Sequence, residues 1–218
     1  MKRIIYVFCV AVSALFVMVS CSKSDSGEDQ VKKSNFNIPA EAKAIIPEEL
    51  IGKMAANGMT INEGTNPPNI EGIFATGILE LIYKSSEEDG YPIGKEIEGY
   101  RYKFYEQKGT KVKADYVHED LVSDDNATGK GAIISGSGNK FTAYLKLTGS
   151  FQGVTYTEGA VYSGEITANG VKDFQWAFCI LDKKNDHTDK KLIPIGGIRI
   201  WVDKSKLAVK KQEYPYGD

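Results

Sequence analysis

The segment "VTYTEGAVYSGEITANGVKDFQWAFCILD", residues 154–182, decides the fold class. Two runs rich in β-branched and aromatic residues flank Asn169 and Gly170, and an Asn-Gly pair between such runs is a strong signal for a tight β-hairpin. Successive side chains of a strand point to opposite faces, and one face of the second run carries a row of large apolar residues: Phe174, Trp176, Phe178 and Ile180. This hairpin therefore predicts an antiparallel sheet with one face in a core.

The same pattern extends over most of the chain after Ile70. Eight segments are rich in β-branched and aromatic residues, most of them alternate apolar with polar residues, and turn signals such as "EEDGYP" and "GSGN" separate them. The segments are residues 73–84, 96–107, 111–118, 131–137, 140–149, 154–167, 171–182 and 195–203. The sequence therefore predicts an all-β fold, an eight-stranded antiparallel up-and-down barrel, with a β-sandwich as the alternative.

A short N-terminal helix precedes the strands. In "IPEELIGKMAANG", residues 46–58, Pro47 suits the first helical turn and Gly58 stands where a C-terminal cap belongs. The apolar stripe that would pack against a larger element consists of Ile46, Leu50, Ile51 and Met54. In the following "TNPPNIEGIF", Pro67 and Pro68 fix two backbone angles and remove two amide donors. We expect this stretch to be a rigid connection that leads into the first strand.

The first residues have the organisation of a bacterial export signal. Lys2 and Arg3 precede an apolar run that is short for a transmembrane helix and that ends at "MVSC". This ending resembles the lipobox of bacterial lipoproteins, which implies that Cys21 is lipidated and anchors the chain in a membrane. Two or three acyl chains are enough for stable anchoring. The alternatives are an ordinary signal peptide and a retained N-terminal anchor.

The chain is thus expected to have five parts. They are a lipoprotein signal peptide (1–20), a flexible tether (21–38), the helix with the Pro-rich connection (39–69), the β-barrel domain (70–210) and a C-terminal tail (211–218). Asp25, Glu28 and Asp29 in the tether resemble the surface-export signal of some Bacteroidota lipoproteins. We therefore expect an outer-membrane lipoprotein that faces either the periplasm or the cell surface.

Composition and motifs exclude several functions. Charge is nearly balanced, with 27 basic and 29 acidic residues, and the absence of a basic block argues against nucleic acid. Beyond Cys21 the only cysteine is Cys179, so no internal disulfide can form, and we expect Cys179 to pack as a small hydrophobic residue. The sequence has no phosphate loop, HExxH motif or paired metal-binding cysteines. We expect no cofactor, no metal, no catalytic residue, and a monomer.

Few ionisable residues are candidates for a site. Glu80 lies among apolar residues, where it could anchor a ligand inside the barrel or point to solvent. Glu158 and Glu165 are seven residues apart in one segment and are predicted to point to opposite faces. His118 ends an apolar face and should be packed or lie at a rim. His187 lies in a charged turn and is expected to be solvated.

Two resemblances add to this prediction. The segments "GSGNKFTAYLKLTG" and "GGIRIWVDK" resemble those of an uncharacterised family of Bacteroidota lipoproteins with a lipocalin-like or calycin-like β-barrel. Lipocalins carry Gly-x-Trp at the start of the first strand and an arginine late in the last strand. Gly72, Phe74 and Arg199 stand at these positions here, with Phe74 in place of the tryptophan. The resemblance implies a structural lock in which Arg199 packs across Phe74.

Three functions remain open on the sequence. The leading hypothesis is a lipid-anchored, non-catalytic β-barrel protein that binds a small apolar or amphipathic ligand inside the barrel. The alternative is an interaction module that binds an envelope protein or a glycan through its outer surface, where Trp201 and the "YPY" tail could supply aromatic contacts. The third is an enzyme whose acidic residues converge inside the barrel, with Glu80 as the candidate.

Overall fold

A computed structural model describes residues 36–119, 125–187 and 191–215, which belong to one compact unit, Val31–Asp218. Two helices come first, α1 (Ala40–Ile45) and α2 (Glu48–Ala56). The strands are β1 (Gly72–Ala75), β2 (Leu79–Lys84), β3 (Glu96–Ile97), β4 (Tyr100–Lys108), β5 (Lys111–His118), β6 (Asn126–Ser137), β7 (Lys140–Phe151), β8 (Val154–Thr167), β9 (Gly170–Lys184), β10 (Ile198–Asp203) and β11 (Leu207–Lys211). Neither of the described helices is long and apolar enough to span a membrane.

The described strands belong to one antiparallel sheet in the order β11-β1-β4-β5-β6-β7-β8-β9-β10-β2-β3. From β4 to β9 each strand pairs with the next one along the chain. Strand β9 also pairs with β11, and β1 pairs with both β11 and β4, so eight strands close into a ring. The all-β prediction is confirmed, in one sheet and not in the two sheets of a sandwich.

The ring is not a regular barrel, because one edge of β9 is shared by two strands. Residues 170–172 of β9 pair with β11, which closes the ring, whereas residues 175–179 pair with β10. Strand β10 continues the sheet to β2 and β3, which lie outside the ring. The predicted regular up-and-down order therefore holds from β4 to β9 and fails where the sheet branches.

The branch also explains where the predicted strands differ from the observed ones. The segment 73–84 was expected to be one strand, but it divides into β1 and β2 on either side of Gly77. Residues 96–107 divide in the same way at Gly99, where a Cβ would lie only 2.3 Å from the carbonyl oxygen of Thr76. Strand β11 was not predicted, because most of its residues are exposed and it lacks a clear apolar face.

Aromatic side chains fill part of the ring interior. The ring centroids of Tyr102 and Phe174 are 4.8 Å apart, and Tyr162 stacks on Phe174 at 5.8 Å. Phe104 and Phe141 belong to the same buried cluster. The inward row predicted for β9 is confirmed for Phe174, Trp176, Phe178 and Ile180. This part of the interior is occupied by the protein's own side chains.

The two helices pack on the outer surface of the sheet. Ile46, Ile51 and Met54 are fully buried there, as the predicted apolar stripe requires, while Leu50 is only partly buried. Their cluster includes outward-facing side chains of β6 to β10: Ile133, Tyr144, Val161, Ala177, Cys179, Ile198 and Ile200. A Cβ on Gly159 would lie 2.8 Å from Cγ1 of Ile46, so this glycine permits the close approach of the helical segment.

Side-chain hydrogen bonds hold the connection between α2 and β1. The backbone N–H of Asn62 donates to Oγ1 of Thr142 at 2.7 Å on the outer surface. Further along, the Gln107 amide donates to the carbonyl of Pro68 at 2.9 Å and accepts from the N–H of Ile70 at 2.8 Å. These bonds satisfy backbone groups that a proline-containing segment cannot pair in a regular ladder. The stretch "TNPPNIEGIF" is a structural connection, as predicted.

Candidate functional site

A cavity of about 190 Å³ lies at one end of the ring interior. Tyr100 at the start of β4, His118 at the end of β5 and Phe151 at the end of β7 mark this end. Most of the wall is aromatic or aliphatic. The acidic and basic side chains in it are His118, Asp125, Glu158, Lys191 and Arg199.

The branch of the sheet forms one side of this cavity. Trp201 comes from β10, Ile97 from β3, and Tyr91 from the loop between β2 and β3. On β9, strand β11 pairs with residues 170–172, and β10 pairs with residues 175–179. The cavity wall next to residues 175–179 is therefore formed by the branch. The irregular topology and the cavity thus have a common origin.

Glu158 is a buried acid in the cavity wall. It lies on β8, on the same face as Tyr156 and Tyr162, and only 2% of its surface is exposed. Its Oε1 has no hydrogen-bond partner among the described residues. Burial raises the pKa of Glu158 well above its usual value, the negative charge of Asp125 raises it further, and a hydrogen bond with Tyr116 opposes the shift only in part.

Three tyrosines connect Glu158 to Asp125. The Tyr100 hydroxyl donates to Oδ2 of Asp125 at 2.7 Å, and the Tyr156 hydroxyl donates to Oδ1 at 2.8 Å. The hydroxyls of Tyr156 and Tyr116 are 2.5 Å apart, and Tyr116 also bonds to Glu158. A continuous network therefore runs from the buried acid to Asp125.

Burial and the neighbouring charge of Asp125 favour the neutral form of Glu158. Because Oε1 of Glu158 has no partner among the described residues, part of the hydrogen-bonding capacity of this buried acid is unsatisfied.

The phenols themselves stay protonated. Burial raises the pKa values of Tyr100, Tyr116 and Tyr156 well above the usual range, and the charge of Asp125 raises them further. At neutral pH the three side chains act as neutral hydrogen-bond donors.

Indole rings and phenol rings form the wall beside Glu158. The centroid of Trp176 is 5.2 Å from that of Tyr100 and 5.0 Å from that of Phe178. The indole N–H groups of Trp176 and Trp201 are buried and have no acceptor among the described residues. A buried polar group without a partner is uncommon in a folded protein and requires an explanation.

A buried ion pair lies at the rim of the cavity. Arg199 donates from Nε and Nη2 to the two carboxylate oxygens of Asp89, both at 2.7 Å, and Asp89 is nearly fully buried. Burial alone would raise the pKa of Asp89, but the hydrogen bonds from Arg199 and from the Tyr91 amide outweigh it and lower the pKa. Arg199 also lies over the ring of Tyr91, 4.1 Å from its centroid.

The structural lock expected from the lipocalin resemblance takes a different form. Phe74 is buried, but its ring packs against Phe104 at 6.2 Å between centroids and does not line the cavity. Arg199 uses Tyr91 in its place, because β2 and the loop after it run beside β10 whereas β1 pairs with β4 and β11. A Cβ on Gly72 would lie 3.0 Å from the Phe74 ring, so the ring folds back over this glycine.

The other predicted residues do not form a second site. Glu80 points outward and forms an ion pair with Lys204 at 3.7 Å, which removes the residue proposed for an enzyme. His118 lies at the rim, as expected, with its ring 4.9 Å from that of Tyr100. Cys179 is buried under the helices, and burial raises the pKa of its thiol to about 12. Within the described ranges, no group of three metal-binding side chains comes together.

The sequence contained only part of the signal for this site. Alternation along β8 places Glu158 on the inward face with Tyr156, and Glu165 is partly exposed, in agreement with the prediction of opposite faces. The contacts with Tyr116 and Asp125 come from β5 and from the residue before β6, and no local pattern reveals them. Cys21, the predicted lipidation residue, lies outside the described residues.

No protein-family model, curated protein sequence or solved structure matches the chain.

Proposed function

We propose that this protein is a lipid-anchored cell-envelope protein that binds a small ligand in the cavity of its strand ring. In this proposal the ring of strands encloses the ligand, as a lipocalin barrel does, and catalyses no reaction. The observation that carries it is the cavity itself, whose wall includes Glu158, Trp176 and Trp201. Oε1 of Glu158 and the two indole N–H groups are buried and have no partners among the described residues. Unpaired polar groups in an aromatic pocket are typical of a binding site.

The volume limits the size of the ligand. An engineered apolar cavity of about 150 Å³ holds benzene, so a cavity of about 190 Å³ suits a molecule with roughly ten non-hydrogen atoms. Such a ligand would present a flat or rounded apolar body to Trp176 and Phe178. A long acyl chain would not fit inside, which narrows the apolar or amphipathic class expected from the sequence.

The envelope location is supported by the lipobox that ends at Cys21 and by the polar tether that follows it. Lipidation would hold the binding domain close to a membrane while leaving the cavity in aqueous surroundings. Metabolic labelling with a radioactive fatty acid tests this part. Label is expected in the wild type and not in Cys21→Ala, and equal labelling of both would contradict the anchor.

The alternative of an outer-surface module has less support. Trp201, which could have stacked on a glycan, is 1% exposed and lines the cavity. Tyr214 of the predicted tail is partly buried, and Nζ of Lys103 lies 5.6 Å from the centroid of its ring. Trp201 and Tyr214 are thus occupied in contacts within the chain, and Tyr216 lies outside the described residues.

A blocking variant tests ligand binding directly. Ile97→Trp adds volume to the cavity wall, whereas Ile78→Trp adds the same volume at an exposed position and serves as its control. The probes are 2-phenylethylamine, 2-phenylethanol and phenylacetate, and the readout is the NMR signals of the two indole N–H groups. We expect at least one probe to shift these signals in the wild type and the control but not in Ile97→Trp. If no probe shifts them, or if blocking has no effect, the proposed function is wrong.

A further inference from the structure

The chemistry of the cavity also indicates the class of ligand, an inference that rests on the proposed function. We propose that the ligand is an organic ammonium ion, which donates an N–H to the carboxyl group of Glu158 and lies against the rings of Tyr100 and Trp176. On binding, Glu158 gives up its proton, so each ligand bound releases one proton to solvent.

The vacant hydrogen-bonding position of Glu158 requires a donor. Oε1 has no hydrogen-bond partner among the described residues, and Glu158 is 98% buried in the cavity wall, so water competes poorly for its carboxyl group. A ligand N–H or O–H beside this carboxyl group would supply a hydrogen bond, whereas an apolar molecule would supply none.

The charges around the cavity favour a cation over an anion. The Asp125 carboxyl group accepts hydrogen bonds from Tyr100 and Tyr156, and its negative charge raises the pKa of Glu158. The three basic side chains in the wall are already engaged. Arg199 is bound by Asp89, Lys191 donates to the carbonyl oxygen of Gln152 at 2.7 Å, and the ring of His118 packs against that of Tyr100 at 4.9 Å between centroids. An anionic ligand would meet the charge of Asp125 without a free basic partner among the described residues of the wall.

The aromatic wall strengthens this preference. Cations are attracted to the faces of indole and phenol rings, and pockets that recognise ammonium ligands combine several such rings. The ring of Trp176 lies between those of Tyr100 and Phe178, with centroids 5.2 Å and 5.0 Å away. The rings of Tyr91 and Trp201 meet edge to face at 6.2 Å between centroids. A carboxyl oxygen beside such rings provides both the hydrogen bond and the counter-charge for an ammonium group.

Proton release follows from the network. The ammonium charge favours the ionised form of Glu158, and its proton passes to solvent. The Tyr116 hydroxyl can donate to the carboxylate that remains, while Tyr156 donates to Asp125. No covalent bond is made, and the charge of the site remains balanced because one cation enters as one proton leaves. The other ionisable groups that face this region are Tyr100 and Tyr102 from β4, His118 from β5, Tyr162 from β8, Arg199 from β10, Asp89, Tyr91 and Lys191.

The expected pH dependence has a definite sign. Below neutral pH the ligand must displace a proton that Glu158 holds firmly, so binding is weak. Affinity rises with pH, by about tenfold per pH unit while one proton is released, as long as the amine itself stays protonated. A neutral ligand of the same shape displaces no proton, and its affinity should not change over this range.

The test compares three probes that differ in charge but share a phenyl ring and a two-carbon or similar chain. The dissociation constants of 2-phenylethylamine, 2-phenylethanol and phenylacetate are measured at pH 6 and pH 8, with proton release followed by calorimetry in buffers of different ionisation enthalpy. The variants are Glu158→Gln, which keeps the volume of the neutral acid, and the control Glu165→Gln, which removes a partly exposed carboxylate from the same strand.

In the wild type and in Glu165→Gln, we expect the amine to bind at least about tenfold more tightly than the alcohol at pH 8, with close to one proton released. In Glu158→Gln, this preference and the proton release should disappear. Equal or tighter binding of the alcohol or of phenylacetate would overturn the ammonium proposal but leave a ligand-binding cavity. An unchanged preference for the amine in Glu158→Gln would also overturn it, and failure of all three probes would overturn the proposed function as well.

Discussion

At the scale of single residues, the surroundings of Glu158 decide its chemistry. Alternation along β8 could predict that it points inward with Tyr156, but its raised pKa depends on burial and on Asp125, and the Tyr116 hydroxyl that opposes the rise comes from β5. The same holds for Arg199, whose aromatic neighbour is Tyr91 and not Phe74. Pairings between distant segments depend on the topology of the sheet, and the sequence pattern does not specify this topology.

Stability against unfolding should reveal the buried acid. Because the pKa of Glu158 is raised in the folded protein, the native state keeps a proton that the unfolded chain loses above about pH 4.5. The free energy of unfolding of the wild type should therefore fall relative to Glu158→Gln by about 1.4 kcal/mol per pH unit above that point, until Glu158 ionises in the folded protein. Urea denaturation at pH 5, 6 and 7 measures the difference, with Glu165→Gln as the control. A difference that stays constant would contradict a protonated Glu158.

At the scale of elements, the helices were easier to predict than the short strands. The stripe of Ile46, Ile51 and Met54 repeats with helical spacing, and the structure buries all three on the outer surface of the sheet. The sequence pattern predicts β1 and β2 as one strand, because a single glycine such as Gly77 is compatible with a bulge inside a continuous strand. What separates them is the close passage of Gly99 against Thr76, a contact between distant parts of the chain.

Packing of α2 against the sheet should contribute strongly to stability. Replacing the fully buried Ile51 by alanine removes apolar contacts and leaves a cavity, at a cost of about 2–5 kcal/mol. The control Lys53→Ala changes an exposed residue of the same helix and should alter the free energy of unfolding by less than about 0.5 kcal/mol. Denaturant unfolding measures both variants. Similar effects of the two substitutions would show that the helix is not docked as described.

At the scale of the whole molecule, the shared edge of β9 determines both the closure of the ring and the position of the cavity. The sequence predicted an all-β fold and the hairpin at Asn169 and Gly170, but not the branch. Strand β11 closes the ring although its own pattern is weak, because β1 and β9 offer it backbone partners on both sides. The barrel expected from eight strands is thus realised as a ring of eight strands with a three-stranded extension.

Closure of the ring depends on Gly170. It has a φ of +146°, and a Cβ there would lie 2.1 Å from the carbonyl oxygen of Ala208 in β11. Gly170→Ala should therefore push β11 away from β9 and cost clearly more than Gly153→Ala, the control. Gly153 also has a positive φ but has open space around it, and its replacement should cost about 1–2 kcal/mol. Equal losses in thermal or urea unfolding would mean that the contact between β9 and β11 does not close the ring.

The central claim is that a neutral Glu158 faces an aromatic cavity, and its carboxyl carbon reports this most directly. The ¹³C chemical shift of that carbon, assigned by its absence in Glu158→Gln, can be followed by NMR from pH 4 to pH 9. We predict that it keeps the value of a protonated acid at pH 7 and changes only well above the ordinary glutamate range, which lies near a pKa of about 4.3. A transition with its midpoint near that ordinary value would show an ionised Glu158 at neutral pH and contradict the account.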